Sequence, residues 1–316
     1  MFSKCNQAFI LEPQYRDYVW GGSRLRPEIV PTAESWVIYE KDRIASGPLA
    51  GLTLAEASEK YGAELLGRRA VLRGTRFPLL IKLLDCADWL SLQVHPNDEQ
   101  ARRLEGPDQN GKTEAWHVVE ADPGAALLAG LKPGVSADEA SEAVRAGKLL
   151  DKMQRLEVKT GDSILIRAGM VHALGPGLMI YEVQQTSDLT YRVWDWDRPA
   201  AAGRALHIDK SLAVIDASIT GSLVPPPVFE AQEGRQMLLR GEYFRLDLLT
   251  YQERVIWQAT HGVSFHAITV LEGQLELSGP GWQLTLGKFE SALVPATCPP
   301  YLITPKGGYK ALLASV

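Results

Sequence analysis

Along much of the chain, apolar and polar residues alternate with a period of two. Trp89–His95, Thr113–Val119, Ser163–Ile166, Leu178–Val183, Phe244–Leu249 and Val263–Leu271 all show it, separated by Gly, Pro and Asp turns. This pattern predicts strands of an antiparallel sandwich or barrel. Four segments switch to helical spacing. Thr53-Leu-Ala-Glu56 and Ser136-Ala-Asp-Glu139 are capping-box sequences, and Leu54, Ala57, Tyr61 and Leu65 form one stripe after the first. Asn97-Asp-Glu-Gln100 is set to cap a short helix through Leu104, and Ile208, Leu212 and Ile215 mark a further one. The expected architecture is a β core decorated by helical insertions.

Gly221-Ser-Leu-Val-Pro-Pro-Pro227 reads as a stiff, unstructured connector, after which the chain returns to strand patterning. This divides the chain into residues 1–225 and a C-terminal β domain, 226–316. Gly287–Pro295 is similar to Gly161–Gly169 in running glycine, apolar strand, turn, so a duplicated β-barrel unit is expected.

Composition narrows the function. The 316 residues are 46% hydrophobic and 22% charged, which suits one large or two modest globular domains. A net charge of -5 without any basic run supplies no field to gather a polyphosphate, so nucleic acid is not an expected partner. The most apolar stretch, FPLLIKLL, is interrupted by Lys82, and the N-terminal apolar run is too short for a secretory segment; neither membrane association nor export is expected. Cys5, Cys86 and Cys298 are widely spaced, which predicts neither a disulfide framework nor a thiolate metal cluster and fits a reducing cytoplasm.

Strand alternation then sorts the polar residues by face. Leu90, Leu92 and Val94 point one way, and Ser91, Gln93 and His95 the other. A polar row of this kind is either an exposed strand face or the wall of a barrel interior, where a metal ion satisfies it by accepting nitrogen and oxygen lone pairs. In Gly111–Val119, Lys112 and Glu114 share a side with Trp116 and Val118, placing two charges on a largely apolar surface. In Gly161–His172, a strand ends in a glycine turn that returns the chain and lifts His172 onto the next strand. Gln93, His95, Glu114 and His172 together offer two imidazoles, one carboxylate and one amide oxygen, a set suited to zinc or another divalent first-row ion. His117 points away from Glu114, and His207, His261 and His266 lack partners at ligand spacing; all four read as structural or exposed.

The Gly161–His172 spacing resembles the second motif of the cupin superfamily, with Arg167 in place of the usual proline, and Gln93-Val94-His95 resembles a variant of the first. A narrower resemblance covers most of the chain. Pro78–Asp85, Leu90–Asp98, Gly111–Trp116, Ala168–Gly175 and Glu182–Arg192 are similar, in order, to blocks of type I mannose-6-phosphate isomerases, in particular the short bacterial form. Trp20-Gly-Gly22 and Ala33–Trp36 are similar to that family's N-terminal blocks. The resemblance implies a mainly β chain of two cupin-like, double-stranded β-helix domains, the second without metal. It also implies one zinc per chain held by Gln93, His95, Glu114 and His172, with Lys112 and Arg192 lining a sugar-phosphate pocket.

The implied chemistry interconverts mannose 6-phosphate and fructose 6-phosphate through a cis-enediol. For the proton transfer the favoured base is Lys112, with Glu182 as the alternative base or ring-opening residue. Arg192 stays charged and is assigned to stabilising an enediolate oxygen or the phosphate. Ser91 is assigned to the phosphate or to a group outside the ligands. Lys112 and Glu182 read alternatively as solvated strand-edge charges, and Arg192 as a structural partner of Asp188, Asp195 or Asp197. Two other functions compete: an iron-dependent cupin dioxygenase, and a sugar-binding regulatory cupin without turnover. The sequence leaves the oligomeric state open.

Overall fold

The computed structural model describes residues 4–198, 204–229 and 233–316. It is mainly β, built of antiparallel sheets with few helices, a cupin-like architecture. Two compact units emerge. One comprises Tyr15–Ser35 and Leu83–Pro226, and the other Met1–Gln14, Trp36–Lys82 and Pro227–Val316. The division at Pro226/Pro227 falls in the proline connector. Two earlier stretches join the C-terminal unit: Met1–Gln14, whose Phe9–Ile10 pairs antiparallel with Ser291–Val294, and Trp36–Lys82, in which the Arg68 and Arg69 N–H groups donate to the Gly262 and Val263 carbonyls.

In the Leu83–Pro226 unit, one sheet carries five strands in the order Tyr191–Trp194, Leu92–Val94, His172–Leu174, Ala126–Leu131 and Met153–Glu157. A second places Leu223–Val224, Ser163–Ile166, Glu114–Ala121, Leu178–Gln185 and the end of Leu79–Cys86 side by side. Alternate residues of both sheets, among them Trp116, Val118, Ile164, Ile166, Leu178 and Ile180, form one buried cluster. The opposite face of the five-stranded sheet, with Leu92, Val94, Tyr191 and Val193, packs on Ala140, Ala143 and Val144 of the helix Ala137–Arg145. Burying Leu92 and Val94 against this helix leaves Gln93 on the other side of its strand.

The capping boxes form as expected. Thr53, Asn97 and Ser136 each accept from the backbone N–H three residues on, and Glu56, Gln100 and Glu139 reach back. The helix marked by Ile208 is short, Ile208–Leu212, and Ile215 lies beyond it.

Beside the first sheet-bearing core, Asp85 is buried and receives Arg24 twice, from the backbone N at 2.7 Å and from Nε at 2.7 Å. Arg24 Nη2 also donates to the Leu178 carbonyl. Gly22 admits this carboxylate, because a Cβ there would collide with it. Asp85→Ala is expected to lower unfolding free energy by roughly 2–4 kcal/mol in urea titration, since it leaves both donors short of a partner. Asp85→Asn, which keeps an acceptor, is expected to lose less.

In the Pro227–Val316 unit, strands Gly234–Arg240, Arg245–Tyr251, Tyr301–Ser315, His266–Gly279, Ser291–Val294 and Phe9–Ile10 lie in order around a core that includes Leu249, Ile268, Val270, Leu313 and Tyr309. Ser291–Val294 is the strand anticipated from its likeness to Ser163–Ile166. His266 is buried here against the Tyr301 hydroxyl at 2.9 Å. Burial, then the Arg235 charge, pushes its pKa down to about 4. Its folded pKa therefore lies below the unfolded value, so this contribution is complete above the unfolded pKa and is lost as pH falls toward 4. The loss is on the order of 3 kcal/mol. Unfolding titrations across that window are expected to show a flatter pH dependence for His266→Gln than for the parent.

Candidate active site

Register brings the predicted ligands together. His172 lies directly opposite Gln93, and Arg192 opposite Gln93 on its other side, so all three side chains project from one face. Glu114 comes from the second sheet, between Ile166 and Gln184. The turn before His172 closes by a Met170 N–H bond to the Arg167 carbonyl, so Arg167 is compatible with this turn. Gly169 adopts φ 87° within it and donates its N–H to the His95 carbonyl at 2.8 Å. A left-handed residue at that point favours glycine, and the bond ties the His95 and His172 segments together.

His95, Glu114 and His172 are fully buried, and one donor atom from each lies within 4.8 Å of the other two. His172 Nε2 is 3.3 Å from Glu114 Oε1, and His95 Nε2 is 3.6 Å from Oε2. Both imidazoles are oriented from behind. His95 Nδ1 donates to the Leu189 carbonyl and His172 Nδ1 to the Met170 carbonyl, each at 2.8 Å. Those bonds put the proton on Nδ1 and direct the Nε2 lone pair inward.

Electrostatics support the same protonation states. Burial, then the Lys112 charge, lowers His95 to about 3, and burial likewise lowers His172. Both rings are neutral at pH 7. Burial works against the charge on Glu114, but the Lys112 charge beside it acts in the opposite sense and the carboxyl is held well below its usual range.

The donor set fits a divalent ion. Glu114 Oε1 and His95 Nε2 are buried without a hydrogen-bond partner, and Glu114 Oε2 faces the Lys112 ammonium at 3.0 Å. Such orphans are costly unless something accepts their lone pairs. Donors around a tetrahedral ion with bonds of ~2.0–2.2 Å are about 3.3–3.6 Å apart, matching the carboxylate–imidazole separations. Gln93 is half-buried and presents Nε2 to His172 Nε2 at 3.2 Å, while its Oε1 accepts from Ser91 Oγ at 3.2 Å. Rotating the amide by half a turn would place the oxygen among the ligands and let Nε2 donate to Ser91. Ser91 thus contacts Gln93 directly.

Lys112 Nζ is buried 3.0 Å from Glu114 Oε2, so it is no solvated strand-edge charge. Glu182 is also buried, but its Oε2 accepts from Trp116 Nε1 at 2.9 Å. Trp116 in turn sets its ring against His172 in a T-shaped contact, centroids 5.4 Å apart. Glu182 therefore reaches the ligands through Trp116, a link that depends on the Glu182–Trp116 register. Alternation had placed Trp116 on the right face, but the cross-strand pairing that gives it this contact is invisible in a single segment.

Among the described residues Arg192 forms no ion pair. Asp195 is taken by Arg198 at 3.0 Å and by Arg204 at 2.6 Å, and Asp197 accepts from Trp194 Nε1. Arg192 Nη1 donates to the Ala205 carbonyl at 3.1 Å, while its buried Nε has no partner. Burial, then the neighbouring Arg204 charge, lowers its pKa. The remaining histidines lie apart from the ligands: His117 bonds Ser163 Oγ, His207 accepts from the Arg192 N–H, His266 meets Tyr301, and His261 is exposed. All three cysteines are buried and none forms a disulfide among the described residues, and no described helix is long and apolar enough to cross a membrane.

Two facing antiparallel sheets that direct buried His, His and Glu donors to one point define a cupin-like barrel with a candidate metal centre. Residues 8–121 match the family model described as phosphomannose isomerase type I, catalytic domain. The chain is 33% identical over 303 residues to the mannose-6-phosphate isomerase of Streptococcus mutans, covering 92% of this chain and 93% of that one. The chain belongs to the type I mannose-6-phosphate isomerase family. A solved structure of the mannose 6-phosphate isomerase from Bacillus subtilis superposes with a TM-score of 0.87 at 29% identity, covering 98% of this chain and 100% of that chain. A phosphomannose isomerase structure from Salmonella typhimurium, at 17% identity and TM-score 0.77 over 97% and 99% of the two chains, shares the fold.

Proposed function

We propose that this chain interconverts mannose 6-phosphate and fructose 6-phosphate, using one divalent ion, zinc, held by Gln93, His95, Glu114 and His172. The observation that carries the reading is the buried Glu114 carboxylate facing two inward Nε2 lone pairs, with the Lys112 ammonium beside it. When bound, the ion would supply Lewis-acid stabilisation of the negative charge that develops on the sugar during proton removal. The chain's own residues do the rest.

Isomerisation removes the proton at C2, returns one to C1, and moves a hydroxyl proton from O2 to O1, so the atoms balance without an oxidant. Lys112 is the group proposed to carry the carbon-bound proton, taking it from C2 as the free amine and returning it to C1 as the ammonium, since its Nζ lies within reach of the ligand cluster. Arg192, on the Gln93 face and without an ion pair among the described residues, is proposed to hold the enediolate oxygen or the phosphate. Glu182 is proposed to assist ring opening or to act as the alternative base. Ser91 is proposed to fix Gln93.

Residues 1–225 are proposed as the catalytic domain, its ligands all in the Leu83–Pro226 stretch, and 226–316 as a cupin-like domain without metal; in the compact units Met1–Gln14 and Trp36–Lys82 group with the C-terminal part. A cytoplasmic setting is proposed from three widely spaced, buried cysteines that form no disulfide among the described residues. Gln93 stands where a dioxygenase would use a further histidine, and Lys112 and Arg192 favour turnover over mere binding. A coupled assay of mannose 6-phosphate conversion, run beside an oxygen electrode, tests the assignment. Ketose formation without oxygen uptake is expected, whereas oxygen uptake or no turnover by metal-replete protein would reject it.

A further inference from the structure

The backbone immediately before Glu114 is held by an unusual concentration of side-chain bonds. Asp98 Oδ1 accepts from the Gly111 N–H at 2.8 Å and from Gln185 Nε2 at 3.0 Å. Gln185 Oε1 then accepts from the Thr113 N–H at 2.9 Å. Between these, the Lys112 N–H donates to the Pro96 carbonyl at 2.9 Å, and Thr113 Oγ1 accepts from the Ala168 N–H. Three consecutive N–H groups, of Gly111, Lys112 and Thr113, are thus fixed, two of them by one carboxylate–amide pair. Gly111 lies so close to Asn97 and Asp98 that a Cβ would collide with their backbone.

We infer that Asp98 and Gln185 form a clamp whose role is to position Lys112 for proton transfer. This rests on the assignment of Lys112 above. Lysine has a long, flexible stem, so fixing its backbone on both sides reduces the freedom that otherwise misplaces Nζ. The clamp joins three elements of the metal-bearing unit: Asp98 in the first turn of the helix Asp98–Glu105, Gln185 at the end of the strand Leu178–Gln185, and the segment leading into Glu114–Ala121. The same helix starts three residues after His95, so its cap sets the Lys112 backbone by reference to a ligand. Asp98 and Gln185 are positioning residues; neither is required to touch substrate.

The test is a double-mutant cycle on the metal-replete enzyme, read with metal content and amide hydrogen exchange. Asp98→Ala is expected to lower kcat by about 10–100-fold with smaller change in KM, to keep one ion per chain, and to speed exchange at Gly111 and Thr113. Asp98→Asn retains Oδ1 as an acceptor and is expected to restore most of the rate. Should Asp98→Ala fold poorly, Gln185→Ala breaks the same clamp from its other side. In a Lys112→Ala background, Asp98→Ala is expected to add no further loss, because both act through one amine. Unchanged kcat in Asp98→Ala, or losses that multiply in the double variant, would overturn the clamp while leaving the isomerase reading intact. Normal turnover in Lys112→Ala alone would remove the reading on which the clamp rests.

Discussion

His172→Ala protein is expected to purify almost free of metal and to lose at least about 10³-fold in turnover, as a centre losing one of its imidazoles should. The substitution removes one of the two Nε2 donors and leaves Glu114 Oε1, already buried without a hydrogen-bond partner, with no facing lone pair to share a cation. Glu114→Ala is expected to do the same and also to destabilise the fold. It strips the buried Lys112 ammonium of its counter-charge, at a cost of about 3–5 kcal/mol. His117→Ala is the matched control: a buried histidine on the same strand as Glu114 whose ring bonds Ser163 instead. Elemental analysis of the three variants decides the matter. Stoichiometric metal in both His172→Ala and Glu114→Ala would show that the cluster is not the ion's site.

The second large effect concerns the proton. Lys112→Ala is expected to keep its metal, because none of the proposed ligands is altered, while kcat falls by about 10²–10⁴-fold through loss of acid–base help. Removing the ammonium also removes a cation that competes for Glu114, so metal affinity should hold or rise. Ion content and kcat measured on the same preparation separate these two consequences. A variant that turns over normally would take Lys112 out of the mechanism, and one that loses its ion would make it part of the metal's support.

Much of this site was legible because strand alternation is a short-range property. Leu92 and Val94 had to be buried, so Gln93 and His95 had to face the other way; the same logic put Lys112 and Glu114 with Trp116. The glycine turn before His172 was equally local, as were the capping boxes at Thr53, Asn97 and Ser136. What alternation does not carry is register between distant strands. That Glu182 falls opposite Trp116, and so reaches His172 through an indole, follows only from pairing segments more than sixty residues apart. The fate of Arg192 was hidden for a related reason: three nearby aspartates all looked available, and it took the placement of Arg198 and Arg204 to show that Asp195 was already engaged. The Asp98–Gln185 clamp is likewise a product of three elements meeting. The pairing of Phe9–Ile10 with Ser291–Val294 left no sign in either segment, since a two-residue strand has too little pattern to announce its partner.

The most direct measurement is a titration of turnover against ion content. Purified protein is stripped with a chelator, zinc is returned in substoichiometric steps, and mannose 6-phosphate conversion is followed at each step. The account predicts that the rate falls to background in stripped protein and rises linearly to a plateau at one zinc per chain. Full turnover by protein proven free of metal, or a rate that ignores the returned ion, would contradict it.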